Sequence, residues 1–154
     1  MKASVANDLR SWAKGLYPLE AGVEVLIRAF GGRFAQPGHS WIRQGEAAGW
    51  WVDERELCDA NLEALSGGEQ RVLRLVAALL GGHPVSLYET VPGLDRGVMD
   101  LILAALAHAN GSHEHNGRPV PDPNGRYRSS NGARFSLPRL GSLHPWPELE
   151  VGLG

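Results

Sequence analysis

The chain has 154 residues, 43% of them hydrophobic and 21% charged. That is the balance of one soluble domain with a real core, too short for two full domains. A net charge of -2 argues against a protein that coats nucleic acid through bulk charge, although a local basic patch is compatible with it.

Cys58 is the only cysteine, so no internal disulfide forms, which fits a reducing compartment. The opening MKASVANDLRSW lacks the apolar run of a secretion signal, and no window approaches the roughly 18 apolar residues of a membrane span. The expectation is a cytoplasmic protein with no membrane contact. Lys2 and Lys14 are the only lysines, and every other positive side chain is arginine; with the abundant Gly and Ala this suggests a GC-rich gene.

In chain order, Val5, Leu9, Trp12 and Leu16 fall at helical spacing, with Gly15 as a stop. Pro18 then starts a second helix with Leu19, Val23, Leu26, Ile27 and Phe30 on its apolar face, ended by Gly31-Gly32. The segment SWIRQGEAAGWWVD reads as a β-hairpin near residues 40–52. Asp53 is placed to cap a third helix carrying Leu57, Cys58 and Leu62, with the thiol in the apolar stripe.

Ser66 and Glu69 have the spacing of a capping box, with Val72, Leu73, Val76, Leu79 and Leu80 behind them as a buried stripe. Asp95 caps a last helix, RGVMDLILAALAHA, which stops at Asn110-Gly111. From Gly111 onward lie six of the ten prolines and seven of the twenty glycines, with no helical period. The predicted fold is therefore mainly α. Residues 1–110 form a five-helix domain with one hairpin and a closing tri-helical unit, and 111–154 form an extended or partly disordered tail. Leu137, Leu140, Leu143, Trp146 and Leu149 give that tail a means of docking.

The stretch Leu65-Ser66-Gly67-Gly68-Glu69-Gln70, followed by HPVSLYETVPGLD, resembles the signature region of transport-type (ABC) ATPases. That resemblance implies a hydrophobic strand after the signature helix, with Glu89 as the catalytic glutamate and Leu94-Asp95 as the following turn. Tyr88 stands where the family holds magnesium through aspartate, and no Gly-Lys pair for a phosphate loop occurs in the chain. Leu65, Glu69, Val72, Leu73, Leu75, Val76 and Ala77 are also similar to the start of a LuxR-type helix-turn-helix. This implies that residues 96–109 lie in the recognition position, yet that helix offers only Arg96, Asp100 and His108 among apolar residues. Over most of residues 9–115 the chain resembles uncharacterised small proteins of GC-rich actinobacteria and their mobile elements, which implies a helical domain without an assigned activity.

Three constellations carry possible chemistry. Trp41, Trp50 and Trp51 on the hairpin, with Met99 and Leu103 on the last helix, suit a protein contact or self-association, since exposed aromatics are enriched at interfaces. His108, His113 and His115 are competent zinc or nickel ligands. In residues 111–147 five arginines (118, 126, 128, 134 and 139) against Glu114 and Asp122 leave +3, with Tyr127 and Phe135 interleaved. Together with Arg43 on the hairpin, this pattern suits phosphates and unpaired bases. No nucleophile elbow, paired carboxylates or phosphate loop points to an enzyme. The sequence thus favours a non-catalytic binding or adaptor protein acting through protein contacts, without a cofactor. Its alternatives are a nucleic-acid-associated regulator using the hairpin as a wing, and a metal-dependent enzyme built on the histidines.

Overall fold

The computed structural model describes residues 4–47 and 49–148. Lys2 and Leu149 lie outside the described residues. Ser4 caps α1 (Val5–Ala13), its hydroxyl accepting from the Asn7 amide, and Leu9 and Ala13 are buried. Val5 and Trp12 pack at the core's edge, whereas Leu16, expected on the same face, is exposed because the helix has already ended. α2 (Tyr17–Arg28) has Pro18 in its first turn, where a missing amide costs nothing. It buries Ala21, Gly22, Val23, Val25 and Leu26, a wider band than one amphipathic stripe. The reason is its position: the helices Gly67–Gly81 and Arg96–Asn110 both pack chiefly on it. Phe30, Gly31 and Gly32 take left-handed backbone angles and turn the chain away, as the paired glycines suggest.

The hairpin joins β1 (Ile42–Gly45) and β2 (Gly49–Val52), antiparallel, with Ile42 opposite Val52 and Gln44 opposite Trp50. It lies against α1, where Asp8 accepts from the Trp50 amide at 3.3 Å.

The third helix is shorter than expected. Asp53 caps only a single 3-10 turn, Glu54–Glu56. The Asn61 side chain then donates to the Glu56 carbonyl, taking an acceptor that a continuous helix would need. α3 (Asp59–Leu62) therefore starts afresh after Cys58. Cys58 is exposed, not part of an apolar stripe, although Leu57 and Leu62 on either side are core.

α4 (Gly67–Gly81) opens with the capping box, Ser66 and Glu69 exchanging both hydrogen bonds, and buries Val72, Leu73, Leu75, Val76, Ala77 and Leu80. The carboxylate of Glu69 also pairs with Arg33, whose guanidinium lies 4.7 Å from the Phe34 ring centre. A four-residue α5 (Leu87–Thr90) follows, making six helices rather than five. α6 (Arg96–Asn110) is capped by Asp95 and closed by Gly111. It runs antiparallel to α2, with its first turn near Phe30 and its end beside Glu20 and Tyr17.

The segment after Gly111 is a folded appendage through residue 148. β3 (Val120–Pro121), β4 (Tyr127–Arg128) and β5 (Arg134–Ser136) make an antiparallel sheet in the order β3-β5-β4. Its base is tied by mutual bonds between the 115–117 and 138–140 strands. Beyond it the chain returns to the helices. Ser112 accepts from the Leu143 amide at 3.1 Å, His144 meets Asp100 at 2.6 Å, and Trp146 packs against the core.

Candidate functional site

The tryptophan hairpin is largely spent on folding. Trp41 is 3% exposed, donates its indole N–H to the Phe34 carbonyl at 2.9 Å, and stacks on His39 with ring centres 4.5 Å apart. It is a core residue and contributes nothing to a contact surface. Trp50 also packs on the core. Strand alternation places half-buried Trp51 on the other face, opposite exposed Arg43. Trp50 and Trp51, both half-buried and on opposite faces, are thus the two expected aromatics that keep some surface.

The outer face of α6 is more open. Leu103 is 39% and Leu106 51% exposed, with half-buried Met99 one turn earlier, so three apolar side chains share one stripe. The helix's polar groups are engaged within the molecule, Asp100 with His144 and His108 with Glu20. Among the described residues that leaves Arg96 and Asn110, at the two ends of the helix, as its free polar side chains.

The histidines do not converge. His108 turns Nε2 to Glu20 Oε1 at 2.8 Å. The His113 ring lies face to face with His108, 4.3 Å away and 6° from parallel. Imidazole lone pairs lie in the ring plane, so stacked rings present faces rather than ligands to one another. His115 is exposed, and among the described residues no group of three acidic, His or Cys side chains is placed to hold a metal ion. The expected His108, His113, His115 site is thus not assembled.

The signature-like stretch resolves into local structure. Gly67-Gly68 begins α4 behind its cap, Glu89 is an exposed residue of α5, and Asp95 caps α6. Residues 83–86 form no strand, so the strand implied by the ATPase resemblance is not there.

The arginines of the tail gain most from the structure. Pairing across the sheet sets Pro121, Phe135 and Tyr127 side by side, and Arg134 directly opposite Arg128 one position along, on the other face by strand alternation. Tyr127 and Phe135 stack at 5.6 Å and 25°, and Tyr127 is 41% exposed. Arg134 donates to the Gly125 carbonyl at 3.1 Å, and Arg139 pairs with Glu114 at 3.0 Å. Arg118, Arg126 and Arg128 are exposed and pair with no carboxylate among the described residues. A groove of about 470 Å³ runs across the three strands between Pro121, Phe135, Arg128 and Arg134.

A second feature escaped sequence reasoning. Glu24 lies between two guanidiniums, Arg10 at 2.5 Å and Arg28 at 2.8 Å. Only the Glu24–Arg28 spacing was readable; Arg10 arrives from α1 and Trp146 from the far tail, over Arg28 at 5.1 Å. Burial alone would raise the Glu24 pKa, but the two arginine hydrogen bonds outweigh it and hold the carboxyl below its usual range. Glu20 is lowered likewise, burial being overcome by the Gly15 amide and His108. Asp53 is lowered chiefly by its hydrogen bonds from Arg55.

Carboxyls depressed in the native state bind fewer protons there than in the unfolded chain. Their stabilisation is complete above the unfolded values near pH 4 to 4.5, and is lost as pH falls through the folded ones. The urea midpoint is accordingly expected to hold between pH 7 and 5 and to drop below pH 4. Glu24→Gln should lower it at pH 7 and flatten the acid limb; an unchanged limb in that variant would show that Glu24 does not contribute.

No protein-family model matches the chain, and no curated protein or solved structure matches it either. Among the described residues no helix is long and apolar enough to cross a membrane.

Proposed function

We propose that this chain is a binding protein whose tail sheet takes single-stranded nucleic acid. The observation that supports this most is the Arg128–Arg134 pair. Like charges at directly opposed positions on neighbouring strands disfavour one another; the Gly125 carbonyl holds Arg134, and neither arginine pairs with a carboxylate among the described residues. An anion in the adjoining groove relieves that repulsion. The stacked Tyr127 and Phe135, which strand alternation places on the opposite face of the same strands, offer a separate, sequence-tolerant platform on which unpaired bases sit. The helical domain carries more acidic than basic side chains, which disfavours phosphate there and favours binding at the appendage. The hairpin contributes Arg43 at most, since Trp41 is internal.

The test is anisotropy of a labelled oligothymidine and a matched duplex against the full chain over a range of salt. Single strands should bind more tightly than duplex, with affinity falling as salt rises. R128A/R134A should make the slope of log K against log salt shallower by about 1.4, two phosphate contacts at ~0.7 each. Tyr127→Ala should cost about 1 to 3 kcal/mol. Absence of binding at low salt, or equal affinity for duplex, would overturn the reading.

A second reading rests on the stripe of Met99, Leu103 and Leu106, which suits a protein contact. Under that reading Leu106→Glu, conservative for the fold because the side chain is exposed, abolishes a concentration-dependent association seen by sedimentation.

A further inference from the structure

The ion-paired cluster around Glu24 forms the floor of a hollow of about 370 Å³ between α1, α2, the end of α6 and the returning tail. Its size is that of a small-molecule site. The rings of Trp146 and His108 supply apolar wall over the buried Val23, and Arg10, Lys14, Glu20, Glu24 and Arg28 supply the charge.

The charges are unequally engaged. Glu24 accepts from Arg10 Nε and a terminal Arg10 nitrogen and from Arg28 Nε. Glu20 accepts from the Gly15 amide at 2.8 Å and meets His108 at 2.8 Å. Both carboxylates are therefore already answered within the walls. Arg28 is held further by the Pro147 carbonyl at 2.9 Å and lies over the Trp146 ring. Lys14, at the end of α1 and exposed, pairs with no carboxylate among the described residues. Arg10, Lys14 and Arg28 face Glu20 and Glu24, so the cluster carries surplus positive charge, and Lys14 holds it beside an aromatic wall.

We infer that this hollow binds a small organic acid, one carboxylate on an aromatic or short aliphatic body. The carboxylate pairs with Lys14 and Arg10, while the body lies against Trp146. A cation would meet the surplus charge, and a neutral molecule would leave the ammonium unpaired. Because Trp146 belongs to the tail, the site is complete only when the tail is seated on the helices.

The experiment uses the full chain labelled with 15N and follows the tryptophan indole resonances, with Trp146 assigned from Trp146→Phe. Three probes of one shape are compared: phenylacetate, phenylacetamide and phenethylamine. Phenylacetate should shift the Trp146 signal saturably, and Lys14→Met, which keeps the stem at an exposed position, should weaken it about tenfold. The amide should bind about tenfold more weakly and the amine should leave the signal in place. No response to phenylacetate up to about 10 mM, or an equal response to the amine, overturns the inference. The oligonucleotide result does not bear on it, since the sheet groove shares none of these residues.

Discussion

Leu26→Ala is expected to remove about 3 to 4 kcal/mol from the unfolding free energy. Leu26 is 2% exposed on α2, the helix on which α4 and α6 both close. Truncation there leaves a cavity that neither neighbour can fill without giving up its own contacts. Against a total of about 5 to 15 kcal/mol for a single domain, that is a large share, and the melting temperature should fall by roughly 10 °C. Thermal and urea unfolding followed by circular dichroism measure it. Leu103→Ala, on the open face of α6, is the comparison and should stay within about 0.5 kcal/mol. Equal losses in the two variants would mean that α2 is not the centre of the core.

Gly125→Val should undo the appendage while sparing the helices. A Cβ at Gly125 would lie 2.2 Å from the Phe135 carbonyl oxygen and 2.4 Å from its carbon, both backbone atoms of the central strand. No rotamer change relieves such an overlap, so β4 and β5 must part. The Arg134 bond to the Gly125 carbonyl is lost with them. Hydrogen exchange should speed up at the amides of Arg134–Ser136 and stay slow along α2. Oligonucleotide affinity should drop at least tenfold, by about 1.4 kcal/mol, since both the aromatic row and the arginine pair are dispersed. Persisting affinity in a chain whose sheet amides exchange freely would place nucleic-acid contacts elsewhere.

The mainly helical character was legible because its signals are local. Ser66 with Glu69, Asp95, Pro18 and the Gly31-Gly32 pair each act within one turn of themselves, and each does in the structure what its chemistry demands. Trp41 was misplaced because strand alternation says that two faces exist, not which is covered. Its cover comes from Phe34 and His39, residues outside the hairpin. Cys58 was misplaced for a similar reason, a side-chain bond from Asn61 interrupting a helix that spacing alone would continue. Strands of two or three residues are too short for alternation to register, so the sheet in the tail was invisible. The candidate sites divide in the same way: arginine and aromatic content was readable at 118–139, while the direct opposition of Arg128 and Arg134 depends on register. The hollow at Glu24 unites residues 10, 14, 24 and 146, which only folding brings together.

The placement of α2 has a consequence for how the chain is made. Its apolar band is complete at Arg28, yet one covering helix begins at Gly67 and the other ends at Asn110. At synthesis rates of about 5 to 20 residues per second, roughly 4 to 16 seconds separate the emergence of α2 from that of its last cover. During that interval Val23, Val25 and Leu26 have no native shelter on one side. The cover of α2 is therefore complete only once α6 has been made, and until then part of its apolar band has no native partner.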